Sequence, residues 1–172
     1  MTTTALCLHV LLAAILVGPQ VLLFFAVIPS TWLIDDEGLR RRVTAVVTRR
    51  YALLSGITLV GLIATGLYQF YSDLVGPGIR EDMMAYRFGP VFTAKMTALI
   101  LLIVLTAVHG IVFGRRIRAA SEAVERGEVS PDVLEGARRN SLLFSMLILV
   151  VSMLILVLGV MLADHTFSHV AI

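Results

Sequence analysis

His9, Lys95 and His109 lie inside long apolar runs of this 172-residue chain. An ionisable side chain at membrane depth is costly, and by default it marks a functional site. Neutral imidazole at a dry site is an effective iron ligand in haem, and helical bundles hold cofactors between facing helices. A nearby lysine ammonium suits the propionates of haem or of another porphyrin. A copper reading stands beside this one. His165 and His169 are four residues apart, a helical metal spacing, and Cys7, His9 and Met161 fall at the same expected level. Soft sulfur together with imidazole suits copper.

Helical geometry groups these residues. His9 and Gln20 are eleven positions apart, ~3 turns, so they share a face. Lys95 and His109 are fourteen apart, nearly four turns and ~21 Å along the axis, so they share a face too. Tyr68 and Gln69 occupy the outer part of the second helix, and Asp164 and His165 are expected to finish the fourth. Each helix thus delivers a polar group to one outer level, where His9, Lys95, Tyr68 and Gln69 are candidate ligand-binding residues. His109 is a second, inner candidate, and His9, His165 and His169 are the candidate metal ligands.

Each residue also has an ordinary alternative. Lys95 is close enough to a helix end to snorkel to the headgroups. His109 can be a neutral histidine that hydrogen-bonds a carbonyl or faces the inner interface. His165 and His169 can belong to a solvated tail. His9 can be a buried structural histidine. The glycines at 56, 61 and 66 read as close helix packing rather than chemistry.

The elements that must position these groups follow from composition. Hydrophobic residues make up 58% of the chain and charged residues 15%, far more apolar than a soluble domain at roughly 45–50%. Mean hydropathy is +0.93. A span needs ~20 apolar residues, and four stretches qualify: 5–28, 51–71, 91–113 and 141–162. Backbone groups cannot go unpaired in lipid, so each is expected to be helical. The expected fold is all-α, a single four-transmembrane-helix bundle over residues 1–172.

Charge sets the expected orientation. Arg40, Arg41, Arg42, Arg49 and Arg50 separate the first two spans, and Arg115, Arg116, Arg118, Arg126, Arg138 and Arg139 separate the last two. The middle loop has Arg80 and Arg87 offset by Asp73, Glu81 and Asp82. The positive-inside rule places the first and third loops in the cytoplasm and both termini outside. These arginines flank apolar runs, which argues against nucleic acid as a partner. The second and fourth helices are expected to extend into the cytoplasm. Asp35 and Asp36 would cap one start, Ser130-Pro131-Asp132 would open the other, and Gly127 would end the third helix. Trp32 is the expected interface anchor of the first. Met1-Thr2-Thr3-Thr4 has no basic segment, so the first helix is expected to be retained rather than cleaved. The single cysteine excludes an intramolecular disulfide. There is no G-x-S-x-G, H-E-x-x-H or phosphate-cradling glycine loop.

Two segments carry a resemblance. Helix one reads His9-Val10-Leu11-Leu12-Ala13-Ala14-Ile15-Leu16-Val17-Gly18, then Phe24-Phe25 and Pro29. Helix three reads Phe92-Thr93-Ala94-Lys95-Met96, an apolar run to His109, then Arg115-Arg116. This resembles the small four-helix membrane proteins related to the HemJ-type protoporphyrinogen oxidases and the copper-resistance CopD domain, over about half the chain. The resemblance implies haem b, a functional histidine at His9 and a functional lysine at Lys95, with oxidation of protoporphyrinogen IX as the reaction. It also leaves a copper-handling protein or a non-enzymatic partner in a membrane redox complex or homo-oligomer as alternatives. A bacterial cytoplasmic membrane is the expected location.

Overall fold

The computed structural model describes residues 2–72 and 75–172. Asp73, one of the middle-loop carboxylates, lies outside the described residues. The chain is all-helical, and among the described residues the only bridge of extended chain pairs Tyr86 with Ala171. In order come α1 (Thr2–Leu22), a π-helical turn (Leu23–Val27), α2 (Ile28–Thr31), α3 (Glu37–Tyr71), α4 (Pro77–Glu81), a 3-10 turn (Met83–Ala85), α5 (Phe88–Val108), a second π-helical turn (His109–Phe113), α6 (Gly114–Glu125), α7 (Pro131–Ala163) and α8 (His165–Ser168).

These pieces make four continuous rods that are long and apolar enough to cross a membrane: Thr3–Leu33, Glu37–Tyr71, Phe88–Glu125 and Pro131–Ala163. All four expected spans fall inside them. The rods are longer than the apolar runs they contain. The 35 residues of α3 measure ~52 Å at 1.5 Å each, against ~30 Å of hydrocarbon.

Local sequence sets the ends. Asp36 caps α3, its carboxylate accepting from the Leu39 amide at 3.0 Å. Pro131 is the first residue of α7, where its missing N–H costs nothing. Gly127 has φ +70° just past α6. Its amide donates to the Val124 carbonyl at 3.0 Å and the Glu128 amide to Ala123 at 2.9 Å, the paired bonds of a Schellman ending that needs the left-handed conformation. Pro29 follows the first π turn, where the Ile28 amide donates to the Leu23 carbonyl five residues back. Having no N–H, Pro29 could not itself serve the Phe25 carbonyl.

The chain divides into two compact units, Met1–Val91 with Val160–Ile172, and Phe92–Gly159. In the first, α1 packs along α3. A Cβ on Gly61 would lie 2.9 Å from Leu12 Cδ1, and one on Gly66 would lie 3.4 Å from His9 Cε1. Those two glycines admit close packing. Gly56, expected to do the same, faces open space. In the second unit Ala98, Leu102, Leu134, Val151 and Ser152 are buried. Large apolar side chains elsewhere are exposed, Ile57 at 73% and Val60 at 68%. That pattern is normal for a surface meant for lipid and abnormal for one meant for water.

Candidate functional site

His9 and its surroundings lie in the first unit. Its Nδ1 is 2.7 Å from Thr65 Oγ1. The Thr65 hydroxyl has one hydrogen and donates it to the Gly61 carbonyl at 2.8 Å, one turn back on α3. The same hydroxyl lies 3.2 Å from the Leu62 carbonyl, and which of Thr65 and His9 donates follows from the imidazole tautomer. A hydrogen bond to the distal ring nitrogen is what orients a metal-binding histidine.

Gln69 stands one turn beyond Thr65 on the same face of α3. Its Nε2 is buried with no hydrogen-bond partner among the described residues. Tyr68, three residues beyond Thr65, is exposed. Both α3 candidates lie within a turn of His9's partner Thr65, and of the two Gln69 has its side-chain nitrogen buried whereas Tyr68 is exposed. Gln20, expected on His9's face, lies inward beside Tyr51, which also reaches Ser55. The Gln20 Oε1 and Ser55 Oγ atoms are buried, with the Tyr51 side chain as their polar neighbour.

Lys95 belongs to the second unit. It is half-buried, seven residues or ~10 Å into its helix from Phe88. Its Nζ would meet a Cβ on Gly159 at 3.4 Å. Gly159 itself stands four residues, ~6 Å, inside the end of α7. The ammonium thus rests on the bare backbone of α7, in space that a side chain would fill. Among the described residues no carboxylate or other acceptor pairs with it.

His109, in the same unit, is held quite differently. Its Nε2 lies 3.0 Å from both Ser141 Oγ and Ser145 Oγ. Its ring stacks against Phe113 and Phe144, with centroids 5.6 and 6.0 Å away. It opens the second π turn. Ser145 also donates to the Ser141 carbonyl at 3.0 Å. This is the satisfied histidine of the ordinary reading, with serine hydroxyls rather than a carbonyl as partners.

The C-terminal candidates are arranged otherwise than expected. Asp164 and His165 do not finish the fourth rod. α7 ends at Ala163 and Asp164 caps a new short helix, α8, its carboxylate accepting from the Thr166 amide at 2.9 Å and from the Thr166 hydroxyl at 2.6 Å. Those bonds hold the Asp164 carboxyl below the usual range. His165 and His169 stack with centroids 4.3 Å apart, and burial followed by repulsion from His165 pushes His169 down. The tail is tied down rather than loose. The Arg87 amide donates to the Val170 carbonyl at 3.0 Å, the Ile172 amide to Ala85 at 2.9 Å, and the Arg87 guanidinium lies over Phe167. Among the described residues no three His, Cys, Asp or Glu side chains are gathered as a metal would need. His9, His165 and His169 therefore do not form a three-ligand set, and Cys7 is exposed.

Thr65, Gly159 and the Ser141–Ser145 pair escaped the sequence reading. The serines left a signal, an i, i+4 pair in an otherwise apolar helix. Thr65 and Gly159 left none. No family model, curated protein or solved structure matches this chain. What the fold defines is an integral membrane protein with four helices of spanning length.

Proposed function

We propose that this chain binds haem b or a closely related porphyrin within the membrane, with His9 of the first unit as the imidazole ligand and, independently, Lys95 of the second unit as a cation for a carboxylate. The observation that carries the reading is the Thr65–His9 hydrogen bond, which orients the ring. Two further features fit the group. Gln69 Nε2 is a buried donor without a partner on the face that holds His9. Lys95 is an intramembrane ammonium without an anion among the described residues, and a propionate supplies one.

Bound haem would supply one-electron redox chemistry. The chain's own part is to orient the His9 imidazole and, at Lys95, to offer an ammonium to a carboxylate. His109 takes no ligand role here, because its Nε2 already serves two serines. Copper fits less well, since a copper site needs a gathered donor set, whereas haem asks the protein for one oriented imidazole. Oxidation of protoporphyrinogen IX is the activity this reading favours, in a bacterial cytoplasmic membrane with both chain ends outside.

The test is the absorption spectrum of protein purified from membranes of haem-replete cells. A Soret band that shifts on reduction supports the reading. Colourless protein that also fails to bind added haem or protoporphyrin IX rejects it.

A further inference from the structure

Arg49 and Arg50 lie at the inner end of the α3 span, apart from the residues assigned to porphyrin binding. Arg50 is 21 residues from Tyr71, ~32 Å along the helix, which is one hydrocarbon thickness. If Tyr71 marks one boundary of the bilayer, the two arginines mark the other, at the depth of the lipid phosphates. Both are exposed, and neither has an ion-pair or hydrogen-bond partner among the described residues. They border a shallow, open depression on α3 together with Val46 and Leu53. These four residues follow i, i+3, i+4, i+7 spacing and so share one face of α3. Below Leu53 that face continues as exposed Ile57, Val60 and Leu67.

We infer that this face is a binding site for an anionic phospholipid, its phosphate held by Arg49 and Arg50 and its acyl chains laid along Leu53, Ile57 and Val60. Two guanidiniums present forked donors that match phosphate oxygens. Their charge of two exceeds that of a single phosphate, which favours a head without its own amine. Phosphatidylglycerol meets that condition and phosphatidylcholine does not. The apolar stripe supplies what free phosphate lacks, a wall for the chains in register with the cations.

The experiment places the full chain in nanodiscs of dioleoylphosphatidylglycerol and dioleoylphosphatidylcholine, mixed in equal parts. Lipid released with the protein into the gas phase is then counted by native mass spectrometry. Wild type is expected to retain phosphatidylglycerol selectively. Arg49→Gln with Arg50→Gln should lose about thirty-fold in that selectivity, at roughly 1 kcal/mol for each surface cation. Arg49→Lys with Arg50→Lys keeps the charges and so guards against mis-insertion, and it should retain most of the selectivity. Arg115→Gln with Arg116→Gln makes the same charge change elsewhere and should leave it intact. Equal loss in the Arg115 and Arg116 variant would mean bulk charge alone. Displacement of the lipid by millimolar inorganic phosphate would mean a simple anion site. Efficient cross-linking between two copies through Leu53→Cys, in a Cys7→Ser background, would mean that a second chain covers this face. Any of these three results overturns the inference.

Discussion

Thr65 joins two elements through one oxygen. Its Oγ1 lies 2.7 Å from His9 Nδ1 of α1, and its hydroxyl donates to the Gly61 carbonyl of α3 at 2.8 Å. Thr65→Val keeps the shape and removes the hydroxyl. Affinity for added haem should fall 10- to 100-fold, the usual effect of removing such an outer partner, while Thr65→Ser should stay near wild type. Haem titration followed at the Soret band measures both. Unchanged affinity in the valine variant would detach Thr65 from any role in ligand orientation.

Lys95 rests on the backbone at Gly159, and that contact separates two roles. A snorkelling lysine is replaced well by arginine. One confined against a helix and facing a carboxylate is not, because guanidinium is broader and planar. Lys95→Met should insert normally, since a charge has left a span, and should lose porphyrin occupancy. Lys95→Arg should restore it only in part. Occupancy per inserted protein is the measurement, and full occupancy in both variants would make Lys95 an interface anchor.

His109 should matter for stability and not for the ligand. Removing its ring withdraws the partner of Ser141 and Ser145 and the stack with Phe113 and Phe144. Stranded polar groups of this kind cost about 1–3 kcal/mol. His109→Ala is expected to lower the thermal midpoint in detergent and to leave haem affinity within a factor of two or so of wild type. Loss of the haem spectrum with no change in midpoint would reverse the assignment.

Much of the fold was legible because lipid leaves the backbone little choice. The four apolar runs, the Asp36 cap, the Pro131 start and the Gly127 ending all appear where residue chemistry puts them. The rods overrun the apolar runs because polar, well-capped segments continue the same helix into water. The π turns at Leu23–Val27 and His109–Phe113 were illegible, since no composition marks one extra residue in a turn. Site residues were legible by type and not by partner. His9 and Lys95 stand out as charges in apolar text, whereas Thr65 and Gly159 look like any threonine and glycine of a packed helix. The His165–His169 spacing suggested metal, but the chain breaks at Asp164, and the rings stack on each other instead.

The tail gives a pH dependence. Asp164 caps α8, and its folded pKa is depressed by the bonds from Thr166. Such a carboxylate contributes stability that is present above its unfolded pKa and lost as pH falls through the folded value. His169, also held down, by burial first and by repulsion from His165 second, acts in the same direction at higher pH. Amide exchange at Thr166 should therefore accelerate as pH is lowered, after correction for intrinsic rates. Asp164→Ala should raise exchange at neutral pH and remove the acid-side dependence. A pH-independent protection factor in wild type would contradict this.

The arginine asymmetry sets the orientation to be tested. A reporter fused after Ile172 should read the non-cytoplasmic side, and one inserted beside Gly127 should read the cytoplasm. Opposite readings from both would invert the membrane faces assigned to His9 and to the Arg49–Arg50 site.

The central claim is that His9 is the residue whose imidazole holds haem iron. Its most direct measurement compares wild type, His9→Ala and His109→Ala, each purified without haem and titrated with haem b under identical conditions. Wild type and His109→Ala should develop the same saturable low-energy-shifted Soret band at one haem per chain, and His9→Ala should show only the spectrum of haem dissolved in detergent. A His9→Ala protein that binds haem with wild-type affinity and an unchanged spectrum would contradict the claim outright.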